Sequence, residues 1–178
     1  MKYIVRKAFY NFEKEEKYLN DMSAKGLAFT DYSWCRYVFE DAPAGKYIYR
    51  LELLENPVTH PESMNYIKFM EESGVEVVSY YMRWVYFRKL AADGPFDIYT
   101  DLDSKIVHYT RIKSLFSALW LANVVTFFTN LIVGISEYRT NLLFAGLSLV
   151  AAVGLYLFVL KPVNEKLRKL RSEKNIRE

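Results

Sequence analysis

The feature that most constrains this chain is a pair of long segments without a single charged residue. Leu115–Ile135 and Leu142–Leu160 contain 21 and 19 residues, and only the short stretch between them carries charge. At about 1.5 Å per helical residue they are about 31 and 28 Å long, close to the roughly 30 Å hydrocarbon core of a bilayer. We predict a transmembrane hairpin with helices over 114–136 and 142–160 and an external loop over 137–141. The alternative is a buried helical hairpin inside a larger soluble core.

Basic residues flank the apolar pair on the side of the chain termini. Lys105, Arg111 and Lys113 precede the first segment, and the tail after residue 160 carries seven basic and three acidic residues. The loop offers only Arg139. Because positive residues remain on the cytoplasmic side, we expect a multi-pass protein with both termini in the cytoplasm. The first residues lack the apolar stretch of a signal peptide, which agrees with this orientation.

Polar and small side chains recur at helical spacing within the apolar segments. Such residues allow two helices to approach closely, and an amide can form a hydrogen bond across the contact. We predict helix packing or self-association into a homo-oligomer, and a polar conduction path is the alternative. The residues are Asn123, Thr126 and Asn130 in the first segment and Ala145, Ser148 and Ala152 in the second.

Residues 1–96 show the pattern of a small α+β domain. Apolar residues at helical spacing predict helices over Phe12–Gly26 and Pro61–Ser73, with Gly26 and Gly74 as C-terminal signals. Runs rich in aromatic and β-branched residues predict strands. Their order is that of a ferredoxin-like unit with an added strand, so the predicted fold class is a ferredoxin-like cytoplasmic domain followed by the hairpin. No internal repeat is evident. The strands are expected over Lys2–Tyr10, Ala28–Glu40, Lys46–Leu54, Val75–Tyr81 and Arg83–Lys89.

Two further helices are predicted around the hairpin. Residues 97–113 form an amphipathic pattern that runs into the first apolar segment, which would connect the domain rigidly to the membrane. Residues 161–178 read as a basic tail helix opening near Pro162, suited to a solvated surface, an anionic membrane surface or a partner.

The usual catalytic and nucleotide-binding motifs are missing from the sequence. It contains no glycine-rich phosphate loop, metalloprotease motif or nucleophile elbow. His60 and His108 lie far apart, and Cys35 is the only cysteine, so we predict no metal, no cofactor and no enzymatic activity. The acidic run at 13–16 is interpreted as a solvated helix start, with paired carboxylates for acid–base chemistry as the alternative.

The strands of the domain are unusually rich in aromatic residues. Such a sheet face can stack on bases, but residues 1–113 are nearly neutral, so we predict no binding of nucleic acid. Packing explains part of the aromatic content, and the remainder favours a face for a protein partner or ligand. The candidate residues of this face are Arg50, Arg83, Trp84, Tyr86 and Arg88.

Several blocks of the sequence resemble a bacterial protein family that carries domain of unknown function 2812. The blocks are FEKEEKYLNDMSAKGL (12–27), YIYRLELL (47–54), ESGVEVV (72–78), RWVYFRKLAADGPF (83–96) and DLDSKI (101–106). Members of that family are often membrane-associated and encoded beside PadR-like transcriptional regulators. The resemblance therefore implies a location in the bacterial cell membrane and a regulatory role, and it implies no catalytic residues.

Together these observations predict a membrane-anchored sensory or regulatory protein. Its cytoplasmic domain is expected to bind a ligand or a protein partner, with a PadR-like regulator as the candidate that the resemblance suggests. The alternative is a subunit of a transport or envelope-stress membrane complex that acts through its transmembrane hairpin.

Overall fold

The computed structural model describes residues 1–177. Within it the chain divides into two compact units, Met1–Thr100 and a second unit that begins at Asp101. The first unit combines strands and helices, and the second is helical. This mixed α+β arrangement followed by two long apolar helices confirms the predicted fold class.

The first unit contains six strands and two helices. The strands form two three-stranded antiparallel sheets, the first ordered β1-β3-β2 and the second β4-β6-β5. Each sheet therefore uses one strand–helix–strand–strand segment, with its third strand in the centre. The elements are β1 (Lys2–Arg6), α1 (Phe12–Ala24), β2 (Leu27–Ser33), β3 (Arg36–Asp41), β4 (Tyr47–Leu53), α2 (Pro61–Glu72), β5 (Glu76–Tyr81) and β6 (Trp84–Leu90).

The two segments are structural repeats, although the sequence shows no repeat. Both β2 and β5 change register three residue pairs before their hairpin turn, between Phe29 and Asp31 and between Val77 and Ser79. Strands β2 and β5 are also in contact: the Tyr32 backbone N–H donates to Ser79 Oγ at 3.3 Å. The repeat is hidden in the sequence because the two segments share strand order and the position of the register change rather than residue type.

The predicted strand over Ala28–Glu40 is wrong in one respect, since it contains a tight hairpin. Trp34 and Cys35 form the turn with φ of +34° and +59°. Positive φ at two central residues suits the twist of a hairpin but normally selects Asn or Gly. Tertiary packing overrides that preference here, and Trp34 is 78% exposed. A turn made of Trp and Cys gives no sequence signal.

Helix α1 covers the outer edge of the second sheet. Strand β4 is an edge strand, so its free backbone groups need partners. Asn20 supplies two, accepting the Tyr49 N–H at 2.9 Å and donating to the Tyr49 carbonyl at 3.0 Å. The Ser23 hydroxyl donates to the Tyr47 carbonyl at 2.7 Å. Side chains at successive turns of one helix thus replace a neighbouring strand.

Two apolar cores fill the first unit. One lies between α1 and both sheets and includes Leu19, Phe29, Phe39 and Leu51. The other lies under α2, on the opposite face of the second sheet, and includes Phe87. The alternation along β6 separates them, because Tyr86 belongs to the first core and its neighbours to the second.

The second unit contains two helices that are long and apolar enough to cross a membrane. Helix α3 (Leu102–Ser136) includes most of the predicted amphipathic segment and the whole first apolar run. Helix α4 (Asn141–Leu155) continues through a π-helical turn at Tyr156–Leu160 into α5 (Lys161–Arg177). The π turn directly precedes Pro162, which has no N–H to donate to the helix.

Candidate functional site

The Glu15 carboxylate holds the most unusual polar position in the first unit. It lies in the first turn of α1 and is only partly exposed. The Tyr37 hydroxyl donates to Glu15 Oε1 at 2.5 Å, and the Tyr86 hydroxyl donates to the same oxygen at 2.7 Å. Tyr37 belongs to the first sheet and Tyr86 to the second, so one carboxylate joins both repeats.

Aromatic rings surround this carboxylate. The ring of Tyr32 lies 4.8 Å from that of Tyr37 and 5.0 Å from that of Tyr86, centroid to centroid. Tyr81 packs against Tyr32 at 5.3 Å, and Trp84 packs against Phe12 at 5.8 Å. We call Glu15 and these rings the Glu15 site. It consists of Glu15, Phe12, Tyr32, Tyr37, Tyr81, Trp84 and Tyr86.

The rings of the Glu15 site form a buried base and a partly exposed rim. Tyr37 and Tyr86, in the base, are 1% and 3% exposed. Tyr32, Tyr81 and Trp84, in the rim, keep part of their surface in solvent.

The electrostatics of the site keep its hydroxyls protonated. Burial raises the pKa of both Tyr37 and Tyr86 far above the usual tyrosine value, and the nearby Glu15 raises it further. Burial also raises the pKa of the Glu15 carboxyl, while the two tyrosine hydrogen bonds oppose that rise. The positive end of the α1 dipole favours the ionised form as well.

Glu16, the next residue, has a different role. Its carboxylate accepts the Leu51 N–H at 3.1 Å and pairs with the Arg50 guanidinium at 3.2 Å. Glu15, in contrast, forms no ion pair with any lysine, arginine or histidine among residues 1–177. The expectation of a solvated acidic run is therefore wrong for Glu15 and Glu16, which are half-buried, and holds for the exposed Glu13.

The predicted partner face does not assemble as one surface. Trp84 and Tyr86 belong to the Glu15 site, and Arg88 follows them on the same face of β6. Arg88 pairs with Glu76 at 2.6 Å and lies 4.3 Å over the Tyr47 ring. The three predicted arginines are all engaged within the domain.

Arg83, another arginine of the predicted partner face, also bonds within the domain. Its Nε and one terminal nitrogen donate to the Leu54 carbonyl at 2.9 and 2.6 Å. This fork ties the hairpin between β5 and β6 to the end of β4. Two of the predicted face residues, Trp84 and Tyr86, belong to the candidate site. Glu15 was not selected from the sequence, where its only signal is an acid in an otherwise apolar helical position.

The predicted packing residues of the apolar helices lie in the second unit. Ala145, Ser148 and Ala152 are buried on α4. On α3, Asn130 Oδ1 accepts the Asn141 side-chain N–H at 3.2 Å, and its own N–H donates to the Thr126 carbonyl. The Asn123 amide donates to the Leu119 carbonyl of its own helix at 2.9 Å.

No cluster of three or more metal-ligating side chains occurs in the described part of the chain. His60 caps α2 by accepting the Glu62 N–H at 3.3 Å. His108 is buried in α3, and Cys35 belongs to the hairpin turn. The Glu15 site offers one carboxylate, two hydroxyl donors and ring faces.

The family match covers most of the first unit and the start of the second. A family model described as protein of unknown function (DUF2812) matches residues 11–121. The match begins just before α1 and includes every residue of the Glu15 site. A comparison with curated proteins finds no match, and a comparison with solved structures finds none either.

Proposed function

This chain belongs to the DUF2812 family of proteins of unknown function, and from that premise we propose that it is a membrane-anchored sensor. Its first unit binds a ligand at the Glu15 site and passes the state of that site to a protein partner. The observation that carries the proposal is the half-buried Glu15 carboxylate, held by two tyrosines and without a cationic partner in residues 1–177.

The cost of this arrangement supports a role in binding. A charge partly removed from water without a counter-ion is unfavourable, and titratable groups perturbed in this way cluster at functional sites. A chain selected for stability alone would place Gln or a hydrophobic residue here. The two hydroxyls beside Glu15 are buried, and their pKa values are raised far above the usual tyrosine value, so they remain protonated and are weak nucleophiles; the proposal therefore includes no catalytic step.

The second unit supports anchoring in a cell membrane. Both long helices pass through segments without charge, and a charge at a span centre costs roughly 2.5–3.5 kcal/mol on the insertion scale. The basic residues flanking the pair favour a multi-pass hairpin with both termini in the cytoplasm. The first unit would then bind its ligand and its partner in the cytoplasm, where a DNA-binding regulator of the PadR-like class is accessible.

The test is crosslinking in native membranes followed by purification of the full-length chain. Wild type, Glu15→Gln and the exposed matched control Glu13→Gln are compared. We expect a DNA-binding regulator to be recovered in an amount that changes with Glu15→Gln and not with Glu13→Gln. Recovery of the same partners in equal amounts from all three variants would reject the sensor.

A second function rests on the amide side chains of α3. Asn123 is only partly covered within the second unit and could form a hydrogen bond with another membrane helix, worth about 0.6 kcal/mol. The chain would then be a subunit of a transport or envelope-stress complex. This alternative predicts that Asn123→Leu releases membrane proteins from the crosslinked complex, while Glu15→Gln leaves that complex intact.

A further inference from the structure

The Glu15 site has the chemistry of a receptor for one class of small molecule. We propose, building on the sensor function above, that its ligand is a lipophilic organic monocation, such as a quaternary ammonium or phosphonium compound with aromatic substituents. Three features of the site carry this assignment: the unpaired acid, the arrangement of its hydrogen bonds and the surrounding rings.

The acid supplies a negative charge that the domain leaves uncompensated. Both tyrosine bonds reach Glu15 Oε1, and no residue among 1–177 donates to Oε2. The adjacent Glu16 shows the opposite arrangement, since Arg50 neutralises it. A cation beside Oε2 would complete the site without breaking any bond that the domain already makes.

The rings supply the second half of the recognition. Aromatic faces attract cations through their quadrupole, and they attract weakly hydrated organic cations with apolar surface most. The same domain already uses this interaction elsewhere, with Lys7 Nζ 4.5 Å from the Tyr18 ring centroid. At the Glu15 site the ring of Tyr32 packs against both tyrosines that hold the acid, and Tyr32, Tyr81 and Trp84 are partly exposed.

Other ligand classes fit less well. An anion would be repelled by Glu15, and a neutral apolar molecule would bury the carboxylate further without compensating it. A divalent metal needs several oxygen ligands, and the described residues contain no group of three acidic or metal-ligating side chains. A strongly hydrated inorganic monovalent cation would gain little from the rings. A bulky organic cation satisfies both the acid and the aromatic walls.

The experiment uses the full-length chain in nanodiscs and two probes of equal shape and opposite charge. Tetraphenylphosphonium is the cation and tetraphenylborate the anion, and binding is measured by equilibrium dialysis against empty nanodiscs. We expect saturable binding of tetraphenylphosphonium to wild type and to Glu13→Gln. Glu15→Gln should weaken this binding roughly 30-fold or more, because it removes one partner of a partly desolvated charge pair. Tetraphenylborate should show no saturable binding.

A second variant tests the rings without touching the acid. Trp84→Leu keeps an apolar side chain at the rim but removes its aromatic face, and we expect roughly 2- to 30-fold weaker binding. Equal binding of the cation to wild type and Glu15→Gln would overturn the proposal, as would equal binding of the two probes. If neither probe binds while partner recovery still depends on Glu15, the ligand class is wrong and the sensor function stands.

Discussion

The hydrogen bonds between Asn20 and strand β4 give the sharpest test of how this domain is held together. Tyr49 is fully buried, and its backbone N–H and carbonyl both bond to the Asn20 side chain. Replacing Asn20 with Leu keeps the branching of the side chain and removes both partners. Each buried group left unsatisfied costs about 1–3 kcal/mol, so the two together cost about 2–6 kcal/mol.

The substituted side chain returns part of that loss. A half-buried Leu regains about 1 kcal/mol of apolar transfer energy, which leaves a net loss of about 1–5 kcal/mol in the free energy of unfolding. At about 1.4 kcal/mol per factor of ten, amide exchange in β4 should accelerate from about fivefold to several thousandfold. Total stabilities of about 5–15 kcal/mol tolerate a loss of this size, so the domain should stay folded.

Hydrogen exchange measured by mass spectrometry on the full-length chain shows which strand loses protection. The peptide over β4 should exchange faster in Asn20→Leu, and the central strand β6 should change less. Asp21→Leu is the matched control, because Asp21 is exposed and its pair with Lys17 is worth little. Asn20→Asp keeps the acceptor for the Tyr49 N–H and should fall between the two. If Asn20→Leu exchanges like Asp21→Leu, α1 does not act as a substitute strand.

Three further predictions concern other parts of the molecule. The pKa of Glu15 is raised in the folded chain, so its contribution to stability is present at low pH and is lost as pH rises through the folded pKa. Without ligand, the melting temperature of wild type should therefore fall relative to that of Glu15→Gln as the pH rises from 4 to 7.5. Parallel curves of melting temperature against pH for the two proteins would contradict this prediction. Cys35→Gly should raise the free energy of unfolding by about 1 kcal/mol, because glycine adopts the left-handed region freely, and Cys35→Ala should not reproduce the gain in urea unfolding. Gly134→Ala should destabilise the helical pair by about 1–3 kcal/mol in detergent unfolding, since an added Cβ would lie 2.7 Å from a Leu142 methyl carbon. Gly146→Ala is the control, because its added Cβ would meet nothing within 4 Å, and it should be neutral in the same measurement.

Much of the architecture can be predicted from patterns among residues that lie close together in the sequence. The absence of charge over Leu115–Ile135 and Leu142–Leu160 is sufficient to predict the two apolar helices. Helix α1 was also predictable, because Asn11 caps its start and Gly26, with φ of +83°, follows its end. An added Cβ on Gly26 would lie 3.1 Å from the Ala42 carbonyl oxygen, so the glycine is required by the contact as well as by φ.

The remaining features depend on contacts between distant parts of the chain. The Trp34–Cys35 turn carries none of the residues that normally mark a hairpin, and only the packing of the finished sheet selects it. Glu15 could not be identified because its two partners lie 22 and 71 residues away. Helical spacing places Glu15 on the apolar face of α1, but it does not show that two tyrosines hold the carboxylate there, since that depends on where both sheets lie.

The repeated strand–helix–strand–strand segments make the first unit equivalent to a dimer whose two subunits have been joined covalently. In such a pair every site would occur twice, yet the fourth residue of α1 is Glu15 and the fourth residue of α2 is Met64, which is 57% exposed. The pseudo-symmetry is therefore broken at the acid: one half supplies the charge, and a tyrosine from each half holds it. A chain built this way has one Glu15 site rather than two, and that site exists only while the two halves of the first unit remain packed together.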